Sequence, residues 1–160
     1  MKKLMLIVLC VCVVSLVYAE EPRYVGVKEC KICHKKLVEK WERTAHAKAF
    51  ERIEIKNAVK EPDCLRCHVT AFNAGGYKMD DPNASKFEAV QCEACHGPGS
   101  QHIKIAKESD TEKSGDKALG LVTPSVVTCK KECHKKAHFR IFTYEEYWPL
   151  IEHKREKTIK

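Results

Sequence analysis

Eight cysteines and four histidines of this chain fall into one repeated pattern. "CKICH" (residues 30–34), "CLRCH" (64–68) and "CEACH" (92–96) each set two Cys three positions apart, with His directly after the second. "CKKECH" (129–134) repeats the arrangement with one more residue between the thiols. Three chemistries compete for such pairs. A disulfide framework suits a small exported protein, and eight Cys allow 105 pairings, but it leaves the His unexplained. Zinc takes Cys pairs at this spacing and some His, yet it does not need a His beside each second Cys. Covalent haem attachment needs all three residues together. The two thiols add to the two vinyl groups of one porphyrin, and the intervening residues curl the chain so that both sulfurs reach one edge. The next residue then projects over the ring face, where an imidazole can bind the iron. His occupies 8 of 160 positions, so four adjacent His by chance would be roughly a one in 10⁵ event. The pattern predicts four covalently attached haem c groups. They are carried by Cys30 and Cys33, Cys64 and Cys67, Cys92 and Cys95, and Cys129 and Cys133, with iron bound on one face by His34, His68, His96 and His134.

Four further His remain, His46, His102, His138 and His153, matching four vacant iron faces in number without assigning the pairs. Methionine is the usual competitor for the sixth position, and outside the N-terminal leader only Met79 is present. Most of the haems are therefore expected to be bis-His and of low potential, because Met raises the potential relative to His; Met79 itself reads as a packed or loop residue. Residues 29–53 lack Pro and Gly and read as helix after the first motif. On a helix, His34 and His46 would stand about 18 Å apart, so His46 should reach a different haem from His34. Trp41 is expected against porphyrin or a neighbouring helix. The "GPGSQ" turn directs His102 away from its own motif, and Ser100 is expected to cap the helix "QHIKIAKES". Thr143 and Glu146 read as a capping box for a last helix carrying His153, which Pro149 either kinks or delays. His138 stands four residues after His134 and cannot reach the far side of the same haem; it either binds a neighbouring iron or lies exposed.

Several elements must position these groups. Lys2 and Lys3, an apolar run from Leu4 and the "VYA" before "EEP" read as a secretory signal peptide over 1–19, cut after Ala19. The run is short for a membrane span, and Cys10 and Cys12 leave with it. Residues 20–160 then form one tetrahaem domain, exported to the periplasm or beyond, where this haem attachment takes place. Segments 56–63, 73–85 and 108–125 read as linkers or turn-rich loops. No segment shows the long apolar periodicity of an independent core, so porphyrins are expected to supply much of the interior. Loss of Lys2 and Lys3 with the leader takes the formal charge from +7 to +5, and four ferric haems with their propionates would bring it to about +1. The Lys excess is thus mostly offset by cofactor, and no base-reading motif accompanies it, so nucleic acid is not an expected partner. Lys pairs beside the motifs suit propionates, solvent or the steering of acidic redox partners.

"KWERTAHAKAF", "CLRCHVTAF", "GGY", "VQCEACHGPGS" and "YEEYWPLIEH" resemble the cytochrome c-554 family of tetrahaem cytochromes over most of the mature chain. The resemblance implies a mainly α fold, with few helices and long loops wrapped around four stacked haems. It also implies distal ligands at His46, His102 and His153, pairing of His102 with the first haem (His34), and a haem at His68 that lacks a sixth ligand. The longer fourth motif and the additional His138 depart from the family pattern, the spacing after the third motif is short, and His138 leaves two states open for the His68 haem. The expected function is a low-potential periplasmic or extracellular electron carrier, with an enzyme as the runner-up. Multihaem enzymes and quinone-linked membrane cytochromes are the partners that the resemblance implies. The alternatives are a haem enzyme reducing a small nitrogen oxide at an open haem, and a subunit of an extracellular cytochrome filament that self-associates.

Overall fold

The computed structural model describes residues 20–108, 121–134 and 142–153. The leader, His138, most of the 108–125 linker and the last seven residues lie outside the described residues.

The described residues are helical with almost no extended pairing. In chain order the helices are α1 (Val27–Cys33), α2 (Lys35–Trp41), α3 (Ala49–Glu54), α4 (Pro62–His68), α5 (Cys92–His96), α6 (Ser100–Glu108), α7 (Val126–Glu132) and α8 (Tyr144–Ile151). A 3-10 turn covers Ala84–Phe87, and one antiparallel bridge joins Val69 to Glu88. Among the described residues no helix is long and apolar enough to cross a membrane.

The expected continuous helix over 29–53 is three short ones. His34 leaves helical geometry at φ −115°, ψ 41°, although its N–H still reaches Cys30 and its carbonyl still accepts from Val38. After α2, the Thr44 hydroxyl donates to the Trp41 carbonyl at 2.7 Å, and the Thr44 N–H does so at 2.8 Å. That carbonyl is the one a continuing helix would use, and a hydroxyl so placed competes with the helical ladder. The chain turns through 42–48 and presents His46 from the bend. The cap expectations differ as well. Thr143 occupies the N-cap position of α8 without a side-chain cap bond, and Pro149 lies inside the helix. The Ser100 hydroxyl accepts from the Arg23 N–H rather than capping α6. A capping box forms instead at α7, where Ser125 accepts from Val127 N–H and Thr128 accepts from Ser125 N–H.

A small apolar cluster gathers around the second motif: Ile53, Leu65, Val69, Tyr77 and Phe87, with Phe50, Phe72 and Met79 against it. Leu65, between Cys64 and Cys67, is wholly buried. Beside this cluster runs a buried polar seam of Thr70, Gln91 and Glu93. The Thr70 hydroxyl donates to the Ala89 carbonyl at 2.9 Å and accepts from Gln91 N–H at 3.0 Å. The Gln91 amide donates to the Lys86 and Glu88 carbonyls and accepts from Val27 N–H. This seam ties the segment after the second motif to the third, and the third to the start of α1. The Trp41 indole N–H reaches the Val90 carbonyl at 2.8 Å, fastening α2 to the same place.

Candidate haem-binding site

Each motif sits on a short helix whose last turn delivers its residues. Cys30 and Cys33 lie on α1, Cys64, Cys67 and His68 on α4, and Cys92, Cys95 and His96 on α5. Cys129 lies on α7, with Cys133 at its C-cap and His134 next. One helical turn brings residues three or four apart to one side, so in all four motifs both thiols lie on one side of the chain. Gly97 ends α5 at φ 79°, with its N–H on the Glu93 carbonyl; this left-handed conformation suits Gly and turns the chain sharply after His96. Among the described residues no disulfide joins the motif cysteines.

The imidazoles meet in pairs. The rings of His34 and His102 stand 6.1 Å apart between centroids, inclined by 24°. His46 and His134 stand 6.1 Å apart at 54°, and His96 and His153 stand 5.8 Å apart at 55°. Each pair joins one motif His to one His from outside the motifs. A bound metal sits about 2 Å from an imidazole nitrogen, so two imidazoles on opposite sides of one iron place their ring centres roughly 6 Å apart. Direct face contact is closer, as Phe142 shows over His134 at 4.2 Å. Zinc in closed sites takes four protein ligands; among the described residues no group of three or more His, Cys, Asp or Glu side chains converges on one point. Two imidazoles at this separation, one of them next in sequence to a pair of thiols, fit an iron whose remaining ligands come from a porphyrin.

Carbonyl groups orient several of these rings. His96 Nδ1 lies 3.0 Å from the Val122 carbonyl, His153 Nδ1 lies 3.0 Å from the Ile151 carbonyl, and His68 Nδ1 meets the Ala49 carbonyl. A carbonyl only accepts, so Nδ1 carries the proton in each case and Nε2 keeps its lone pair for a metal. Burial pushes His46 below its ordinary pKa, helped by His134. Burial also lowers His134 and His96, the Val122 carbonyl partly opposing it at His96. The neutral imidazole so favoured is the form that ligates. Among the described residues no second imidazole pairs with His68.

The first and third motifs adjoin. α1 packs on α5, and the Cys30 and Cys92 thiols interact, which pushes Cys30 up and Cys92 down. Burial pushes the Cys95 thiol up to about 11. Sequence reasoning missed Gln91 and Glu93. Glu93 is only 3% exposed, yet it occupies a variable position of "CEACH"; the one available signal was the Gly97–Pro98–Gly99 turn that lets the chain fold back over it.

A family model described as "Cytochrome c554 and c-prime" matches residues 29–97. Cytochrome c-554 of Nitrosomonas europaea is 34% identical over 117 residues, covering 62% of this chain and 49% of that relative's length. The solved structure of the reduced state of cytochrome c554 from Nitrosomonas europaea superposes with a TM-score of 0.60 at 30% identity, covering 82% of this chain and 79% of that one. The chain belongs to the cytochrome c554 family. It is accordingly a c-type cytochrome with a mainly helical multihaem fold and covalently bound haem c. The alignment with the curated relative spans about half of that relative's length, and the matched segment 29–97 contains the first three motifs and His46.

Proposed function

We propose that this cytochrome is a low-potential electron carrier with four haems, working outside the cytoplasm. The observation that carries the reading is the set of three imidazole pairs about 6 Å apart, each with one motif His: His34 with His102, His46 with His134, and His96 with His153. Each bound iron supplies one-electron exchange between its ferric and ferrous states. The protein's part is positional. Cys30, Cys33, Cys64, Cys67, Cys92, Cys95, Cys129 and Cys133 would hold the four rings, and the three His pairs would ligate three of the irons, an arrangement that needs little movement when the charge changes. Imidazole on both sides keeps the potential low. Lys31, Lys35 and Lys36 beside the first motif, and Lys130 and Lys131 beside the fourth, are placed to steer acidic redox partners. Multihaem enzymes and quinone-linked membrane cytochromes are the partners this proposal names. Residues 1–19 support export.

Single substitutions test the axial pairs. In the ferric holoprotein at low temperature, H46A, H102A and H153A should each convert one low-spin haem signal to high spin and leave the rest. Retention of every low-spin signal in all three would end the bis-His reading. Coulometric titration should take up four electrons per chain.

A second reading rests on His68. No partner imidazole faces it among the described residues, which do not include His138; a haem there without a sixth ligand would take nitric oxide, nitrite or another small ligand. A high-spin signal in the unmodified ferric protein that nitric oxide abolishes is expected on that reading; wholly low-spin haem in the unmodified protein would exclude it.

A further inference from the structure

Glu93 sits between two segments that each lead into a different ligand of the same proposed haem. Its carboxylate accepts from Val25 N–H (2.9 Å to Oε1 and 3.1 Å to Oε2), from Gly26 N–H (2.7 Å to Oε2) and from Gly99 N–H (2.7 Å to Oε1). Val25 and Gly26 open directly onto α1, which ends at His34. Gly99 opens directly onto α6, which carries His102. Neighbouring bonds hold the same two segments together. The Arg23 N–H donates to the Ser100 hydroxyl at 2.8 Å, and the Ser100 N–H donates to the Arg23 carbonyl at 3.1 Å. Gln91, two residues before Glu93, accepts from Val27 N–H at 2.7 Å.

We propose that Glu93, though carried by the third motif, is the positioning residue for the axial pair of the first. Its buried carboxylate sets where α1 and α6 begin relative to each other, and so sets the distance and the 24° inclination of His34 and His102. A carboxylate suits this task because its two oxygens offer about four acceptor directions, enough for three N–H groups from two strands of chain. Breaking these bonds would leave buried N–H groups unsatisfied. Gly99 is part of the fit. A Cβ there would come within 3.1 Å of Glu93 Oε1 and 3.3 Å of Val25 Cγ2, so a larger residue requires the carboxylate or Val25 to shift by a few tenths of an ångström.

The inference rests on the bis-His reading above, and the experiment separates the two. Ferric holoprotein carrying E93A, E93Q, G99A or H102A is compared with wild type by low-temperature electron paramagnetic resonance, with haem content checked by mass. H102A marks which signal belongs to the His34 haem. E93A should shift or abolish that one signal, E93Q and G99A should shift it by less, and the other signals should stay in place. A fall in melting temperature with all signals moved, or with none moved, would make Glu93 a general stabiliser and refute its positioning role. If H102A changes a signal that E93A and G99A leave untouched, the role of Glu93 is refuted and the axial reading stands. If H102A changes nothing, the axial reading itself falls. Should E93A fail to accumulate, G99A decides alone, because it keeps the carboxylate and perturbs only its seat.

Discussion

Replacing Thr70 by Val probes the buried seam that joins the second and third motifs. Thr70 is fully buried and Val has almost its shape, so packing changes little; what disappears is the hydroxyl. That hydroxyl donates to Ala89 and accepts from Gln91, both at buried positions. T70V therefore strands one buried carbonyl and one buried N–H, at about 1–3 kcal/mol each, or roughly 2–6 kcal/mol together. For a chain of this size 1 kcal/mol moves Tm by roughly 3–4 °C, so the expected fall is about 6–24 °C. The assay is thermal unfolding of the holoprotein, followed by far-ultraviolet circular dichroism, with T70S as the control. T70S keeps both hydrogen bonds and loses only a methyl group, at about 1 kcal/mol. The reasoning is refuted if T70V lies within about 0.5 kcal/mol of wild type, or if T70S costs as much as T70V, since the methyl group and not the hydroxyl would then be the stabilising part.

Three further outcomes are expected. H46M should raise the potential of one haem in protein-film voltammetry and leave the others, because thioether ligation raises potential relative to imidazole; an unchanged set of potentials would remove His46 from the axial role. Leu65→Ala should cost about 2.5–5 kcal/mol in denaturant unfolding, since Leu65 has no exposed surface and anchors the only apolar cluster among the described residues. Chain made without haem attachment should show little helical dichroism and bind a hydrophobic dye, because that one cluster and short helices of five to nine residues are too little to fold alone.

The attachment motifs were legible because their chemistry is local: both thiols and the first axial His must be near neighbours in the chain, and spacing records that. The second axial positions were legible only as a number of spare His. Spacing kept His46 away from its own motif, but nothing in it chose His134 as the opposing ring, 88 residues away. The pairing of His34 with His102 came from the family resemblance. The helix expected after the first motif, out to residue 53, failed where the Thr44 hydroxyl and N–H take the Trp41 carbonyl, an event that helix propensity does not weigh. Thr70, Gln91 and Glu93 were invisible because polar residues read as solvated until the donors that surround them are known. The cluster at Leu65 escaped for a similar reason: its members come from two helices, a bridge, a loop and a 3-10 turn, with no shared period.

The intact mass of the exported protein tests the central claim most directly. The account predicts residues 20–160 plus four haem increments that survive denaturation and acid extraction, as thioether bonds do. A bare polypeptide mass, or one carrying fewer than four increments on every molecule, would contradict it.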